Sequence, residues 1–290
     1  YVRPSLRGHM TTLQGHMTLD VDDIEAESAP IYRYDMLHDD ESCFRIRREF
    51  QAKWTDPLVA RQAWPVRRVP HDPLRVGYFS SDFRAWSGHW IFGPIILGHT
   101  PAIEVYTYSM TAPEWDDDDE TRQYQARTRF QDVSDLSVRA CAAAIRADDL
   151  DILVDLMGFS FGLPHMVYAL APAPTIITAW GHVAAGTQHR AVEYLFADPI
   201  ALPRHERQHY SERVVDLPCV VAYRPPAGVP AIRPTTRRPF RYGCFHRFQK
   251  VTDRTLRAWA EILDRVPRAE LVIKSWDFER ERDLPRLLDA

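Results

Sequence analysis

Gly158-Phe-Ser-Phe-Gly162 follows one apolar run and precedes another. That is the setting in which a G-x-S-x-G turn raises a nucleophilic serine above a sheet. For Ser160 to act, an orienting acid and a base must follow it. Asp198 or Asp216, then His205, His209 or His246, stand in the right order. No HGGG-type segment precedes the serine, however, and Pro164 falls where the helix of such an elbow starts. The plainer reading is a turn at the C-terminal end of a strand, where α/β proteins place ligand-facing residues. Lys250 lies between a predicted strand and a predicted helix. Beside the amides of a helix N-terminus, a lysine can hold a diphosphate; on the surface it is merely solvated. His89, just after another predicted strand, is a candidate acid–base group or a packed polar residue.

Other motifs are weaker. The four carboxylates Asp116 to Asp119 contain a D-x-D triplet but do not end an apolar strand, and read as a solvated loop. Asp20-Val-Asp-Asp23 lacks the glycine and distal glutamate of a calcium loop. No G-x-G occurs, so the dinucleotide fingerprint is absent. Gly181 to Thr187 has glycine spacing close to a P-loop, without the lysine that the phosphates require.

These residues need a frame, and the pattern supplies an α/β one. Strands are predicted at 75–80, 103–109, 151–157, 175–180, 193–197, 240–245 and 270–274. Helices are predicted within 39–63, at 90–97, within 116–129 after an acidic loop, and at 138–147, 166–170 and 253–266. In the helix at 90–97, Trp90, Ile91 and Ile95 to Leu97 are expected to face the core. Strands alternating with helices imply βαβ units and a parallel sheet. The first 30 residues show no clear period. From Leu156 to His189 there is no Asp, Glu, Lys or Arg, but three prolines and four glycines interrupt the run. It reads as buried sheet and site lining, not as a membrane span, which needs about 20 continuous apolar residues.

Proline-rich breaks at 65–73 and 224–239 divide the chain. The expected organisation is an irregular or helical segment and linker (1–73), a Rossmann-like lobe (74–223), a linker (224–239) and the beginning of a second lobe (240–290). The 290 residues carry 45% apolar and 26% charged residues, which excludes disordered and fibrous classes. The net charge of −4 argues against a general nucleic-acid binder. Arg237, Arg238 and Arg241 form a basic cluster that suits one phosphate group equally well. The four cysteines form no C-x-x-C pair, as expected of reduced thiols in a cytoplasmic protein. No signal-peptide pattern opens the chain.

Three blocks, taken together, carry a resemblance. They are Leu74-Arg-Val-Gly-Tyr-Phe-Ser-Ser-Asp-Phe-Arg84; Asp151-Ile-Leu-Val-Asp-Leu-Met-Gly158 with Ala169-Leu-Ala-Pro-Ala-Pro174 and Trp180; and Tyr242-Gly-Cys-Phe-His-Arg-Phe-Gln-Lys250 with Leu256 to Pro267. In this order and spacing the chain resembles the catalytic region of the O-linked N-acetylglucosamine transferase family, particularly its bacterial tetratricopeptide-containing relatives. Tyr194 to Pro199 and Tyr210-Ser-Glu212 also fit.

The resemblance implies a GT-B architecture of two Rossmann-like lobes. It implies an inverting transfer of N-acetylglucosamine from UDP-N-acetylglucosamine to a protein Ser or Thr hydroxyl, without a metal or other cofactor. Lys250 matches the family lysine that stabilises the departing diphosphate, and His89 is the candidate acid–base residue. Arg247, His246, Gly158 and His182 fall at donor-binding positions. The chain also departs from the family. Phe83-Arg-Ala-Trp86 puts Trp86 where the family has histidine, three residues before His89. The Gly181 loop lacks its proline, and Phe159 stands where His or Tyr is common. The later H-T-T segment and tetratricopeptide repeats are not in this sequence. The expected partners are a nucleotide-sugar donor, a protein or peptide acceptor, and a complementing C-terminal lobe or a second copy, with neither nucleic acid nor membrane. Activity of the chain alone is expected to be impaired. The alternatives are a non-catalytic, protein-binding derivative and, more remotely, the Ser160 hydrolase.

Overall fold

The computed structural model describes residues 10–11, 18–19, 21–34, 40–65, 69–111, 118–180, 186–221, 223, 225, 228–231, 239–246 and 250–275. It falls into two compact units, one of residues 1–32 with 39–227 and one of residues 33–38 with 228–290.

The larger unit is built on a seven-stranded, wholly parallel sheet in the order β5-β4-β3-β6-β7-β8-β9. Its strands are β3 (Leu74–Ser80), β4 (Ile103–Ser109), β5 (Arg129–Asp132), β6 (Ile152–Asp155), β7 (Ile176–Thr178), β8 (Tyr194–Ala197) and β9 (Arg213–Asp216). A two-residue pair, β1 (Met10–Thr11) and β2 (Thr18–Leu19), precedes it. The α/β class and the Rossmann-like parallel lobe are as expected. Strands β5 and β9 were not predicted. They are short edge strands, and their alternation carries little apolar signal: Arg129, Asp132, Arg213 and Asp216 are charged.

Successive side chains of a strand point to opposite faces, and the core divides accordingly. Phe79, Tyr106, Tyr108 and Leu153 face helices α6 (Val138–Ala147) and α7 (Leu163–Tyr168). Val76, Tyr78 and Val154 face α4 (Ser87–Ile96) and α5 (Asp119–Arg127). In α4 the inward residues are His89, Phe92, Gly93 and Ile96. Trp90 and Ile91 are only half-buried, which corrects the expected face by one residue. Asp118 caps α5 by accepting from the Thr121 amide at 2.7 Å, the role its position before a helix predicts.

The N-terminal segment packs into this same unit. Helix α1 (Val21–Tyr34) buries Ile24, Ser28 and Ile31, a stripe one residue wide that the acidic sequence around it conceals. Helix α2 (Asp40–Trp54) and the short α3 (Asp56–Val59) add Phe50, Trp54 and Leu58 to the α6–α7 core. Lys53 and Trp54 Nε1 both donate to Glu27, which ties α2 to α1. The smaller unit is a single βαβ element: β10 (Arg241–Cys244), α8 (Asp253–Arg265) and β11 (Glu270–Ile273), with β10 and β11 parallel. Among the described residues, no helix is long and apolar enough to cross a membrane.

Candidate active site

The connections leaving β3 and β6 run to opposite sides of the sheet. The crevice outside the carboxyl ends of these two neighbours is the switch point where doubly wound sheets bind ligands. The Ser81 amide, just past β3, donates to Met157 Sδ at 3.1 Å, tying the two strand ends together. Below them lies Asp155, fully buried. Its carboxylate accepts from the amides of Met157 (2.8 Å) and Gly158 (3.2 Å), from Tyr168 OH (2.7 Å) and from Thr178 Oγ1 (2.9 Å). Burial pushes its pKa up against these donors, which hold the anion. The same bonds turn the chain sharply, and Gly158 has a φ of +49°, a left-handed conformation suited to glycine.

This turn accounts for both glycines of the G-x-S-x-G motif without a nucleophile. Gly158 supplies the φ. At Gly162 a Cβ would lie 2.7 Å from Ser28 Oγ, so α1 can approach only glycine. Glu25 of α1 then accepts from the Gly162 and Leu163 amides at the start of α7. The proposed partners of Ser160 are engaged elsewhere. Asp198 accepts from the Ile200, Ala201 and Val220 amides, and Asp216 pairs with Arg207. His205 sits on the surface beside Glu206, the His209 ring stacks on Phe44, and His246 belongs to the smaller unit. Among the described residues of the larger unit, the hydrolase triad is therefore not assembled.

Gly158 itself is buried. Its amide is held by Asp155 and its carbonyl lies 2.9 Å from His165 Nε2, so both backbone groups serve the fold. The segment 186–189, between β7 and β8, is bound with equal density. Arg47 and Gln51 of α2 donate to the carbonyls of Gly186 and Thr187. Glu212 accepts from both the amide and the hydroxyl of Thr187. Phe159, His165 and His189 stack in sequence beneath. His182 lies outside the described residues.

His189 is fixed as the neutral ring. Nδ1 accepts from the Ala191 amide at 2.9 Å, and Nε2 lies 2.9 Å from the His165 carbonyl, to which it must donate. Burial drives its pKa down to about 4. An unfolded histidine titrates near 6.5, so this site stabilises the fold above that pH. The contribution is lost as pH falls from about 6.5 towards 4, at about 1 kcal/mol per pH unit. In urea titrations at stepped pH, His189→Gln should flatten the acid side of the stability curve relative to the parent.

His89 is not presented to solvent. It is 6% exposed, and its Nδ1 shares a hydrogen bond of 2.9 Å with Tyr124 OH. Burial lowers its pKa, opposed by Glu120 and Asp118. The structure places it in the α4–α5 core as a packed polar residue. Trp86, at the start of α4, is 42% exposed with the Arg84 guanidinium 4.7 Å from its ring centroid.

In the smaller unit, Lys250 is exposed in the loop between β10 and α8. Thr252 caps α8 by accepting from the Thr255 amide at 3.2 Å. His246 is also exposed in that loop; Arg247 lies outside the described residues. Arg241 of the basic cluster forms an ion pair with Glu270 at 2.6 Å. Among the described residues, no three His, Cys, Asp or Glu side chains converge to hold a metal ion.

The sequence patterns do not single out Arg47, Gln51, His165 or His189, and hold Asp155 and Glu212 only within the resembling blocks, without a role. Two signals were available. Asp155 is the one carboxylate at the end of an otherwise apolar strand. Arg47 and Gln51 fall at helical spacing among Phe44, Phe50 and Trp54, on a face that should be apolar.

Comparison with known proteins agrees with this architecture. A probable UDP-N-acetylglucosamine–peptide N-acetylglucosaminyltransferase, SPINDLY of Arabidopsis thaliana, is 28% identical over 82% of the chain and 27% of its own length. The SEC protein of the same plant, similarly described, is 29% identical over 74% of the chain and 23% of its own length. A solved O-GlcNAc transferase mutant from Thermobaculum terrenum superposes with a TM-score of 0.81 at 28% identity, covering 92% of this chain and 52% of that one. The chain thus spans about a quarter of these curated relatives and about half of the solved one. The model of glycosyl transferase family 41 matches residues 60–221, more than half of the sequence, and the chain belongs to that family.

Proposed function

We propose that the chain contributes to an inverting, metal-independent transfer of N-acetylglucosamine from UDP-N-acetylglucosamine to Ser or Thr hydroxyls of proteins. The observation that carries this reading is Lys250, an exposed cation between β10 and the capped N-terminus of α8, in a chain whose fold follows a solved O-GlcNAc transferase. In the reaction the acceptor hydroxyl attacks the anomeric carbon, the bond from that carbon to the diphosphate oxygen breaks, and UDP leaves with the electron pair. The charge to be stabilised develops on the diphosphate. An ammonium beside helix-terminal amides meets that need. Asp253 in the first turn already balances part of the helix dipole, so Lys250 is the principal cation, with His246 and Arg247 in the same loop. The four cysteines are all free thiols, which fits a reducing, cytoplasmic compartment.

Thermal unfolding with and without UDP tests this. A ligand at a hundred times its dissociation constant adds about 2.7 kcal/mol, or about 5–10 °C for a unit of this size. The parent should shift and Lys250→Ala should not. Cooperative unfolding with no shift in the parent would mean that the chain does not hold donor by itself.

A second reading has its own support. With His89 buried against Tyr124 and Trp86 half-exposed at the start of α4, the rim offers an aromatic surface where a base is expected. That suits a protein-binding derivative without turnover. A pull-down on acceptor peptide that Trp86→Ala abolishes, in a chain indifferent to UDP, would favour it.

A further inference from the structure

We propose that helix α2, which lies outside the stretch matched by the family model, is the positioning element of the 186–189 segment, with Arg47 and Gln51 as its positioning residues. The inference rests on the donor reading above only in its second measurement, the binding of UDP-N-acetylglucosamine.

Arg47 has no exposed surface. A buried guanidinium is costly, and an apolar side chain of similar volume would pack there at less cost. What the cation adds is geometry. It donates to the Gly186 carbonyl while its guanidinium lies 5.1 Å from the centroid of the Phe159 ring. One turn on, Gln51 donates to the Thr187 carbonyl at 2.9 Å and lies 3.2 Å from His165 Nδ1. Its own carbonyl accepts from Thr55 Oγ1 at 2.6 Å, which fixes which way the amide faces. Two successive carbonyls of this segment are thus held by two side chains on one face of α2. From another segment, Glu212 takes the amide and hydroxyl of Thr187. Donors from one element and an acceptor from another lock the register of this backbone. The same face of α2 also meets the switch-point turn, through Phe159 and through His165, whose other ring nitrogen faces Gly158 O. One helix therefore contacts both the switch-point turn and the 186–189 segment.

Hydrogen exchange on the whole chain tests this, comparing Arg47→Met, Arg47→Lys and Gln51→Leu with Ile96→Ala, a core variant on the opposite sheet face. The amides of Thr187 and His189 are hydrogen-bonded in the parent, to Glu212 and to Thr187 Oγ1. At equal global stability they should exchange about tenfold faster in Arg47→Met than in Ile96→Ala, with Arg47→Lys in between. Binding of UDP-N-acetylglucosamine should weaken about fivefold in Arg47→Met and stay unchanged in Ile96→Ala. Equal exchange in the two variants overturns the proposal, because α2 would then only add stability. Faster exchange with unaltered binding overturns its link to the donor site. If the parent binds no UDP-N-acetylglucosamine, the donor reading fails and the exchange result still decides the positioning role. Should Arg47→Met not fold, Gln51→Leu and Arg47→Lys give the same comparison.

Discussion

Replacing Asp155 by alanine is expected to lower the stability of the larger unit by about 4 kcal/mol. The side chain has no solvent to fall back on. Its loss leaves the Met157 and Gly158 amides and the hydroxyls of Tyr168 and Thr178 facing a small void. Buried donors stripped of an acceptor cost about 1–3 kcal/mol each before relaxation, and the two hydroxyls can turn away. For this size the midpoint should fall by about 8–16 °C. Asp155→Asn should be milder. An amide oxygen can still serve Met157 and Tyr168, and Thr178 can rotate its hydroxyl to accept from the new NH2. Calorimetry of parent, Asn and Ala variants checks the order, and an asparagine as damaging as alanine would refute this account of the network.

Phe159→Ala should come next, at about 3–5 kcal/mol. The ring is wholly buried, edge-on to Phe50 at 5.5 Å and stacked on His165 at 4.2 Å. It is also the surface on which the Arg47 guanidinium rests, an interaction of about 2 kcal/mol when desolvated. Phe159→Leu retains most of the volume and should cost under about half as much. Because the Arg47 contribution is cationic, Phe159→Ala and Arg47→Met should be less than additive in a double-mutant cycle. Strict additivity would mean that the ring and the guanidinium do not interact.

The frame was largely legible in the sequence. Long apolar strands such as Ile103–Ser109 and a capped, alanine-rich helix such as Val138–Ala147 were predicted at their observed bounds. Local signals suffice there because the apolar period and the helix boundary agree. Helix α1 was missed because only Ile24 and Ile31 mark its buried apolar stripe, and Pro30 lies within it. The candidate site was less legible. Lys250 could be placed because a strand–loop–helix pattern fixes where such a residue sits. The Arg47, Gln51 and Glu212 contacts join segments far apart in sequence, and no local period encodes which carbonyl a buried guanidinium will meet. His89 shows the converse. Its position after β3 pointed to the rim, but a hydrogen bond shared with Tyr124, 35 residues away, accommodates it in the core.

The separation of α2 from its partners has a consequence for how the chain is made. Arg47 and Gly186 are 139 residues apart. At bacterial or eukaryotic elongation rates of about 5–20 residues per second, roughly 7–28 s pass between the emergence of the helix and that of the segment it grips. Throughout that interval the Arg47 guanidinium lacks the Gly186 carbonyl to which it donates in the fold. Helix α2 thus completes its contacts only after strands β3 to β7 have been made. Nascent chains halted before residue 186 should bind holdase chaperones through this helix, and the burden should vanish once synthesis passes Glu212.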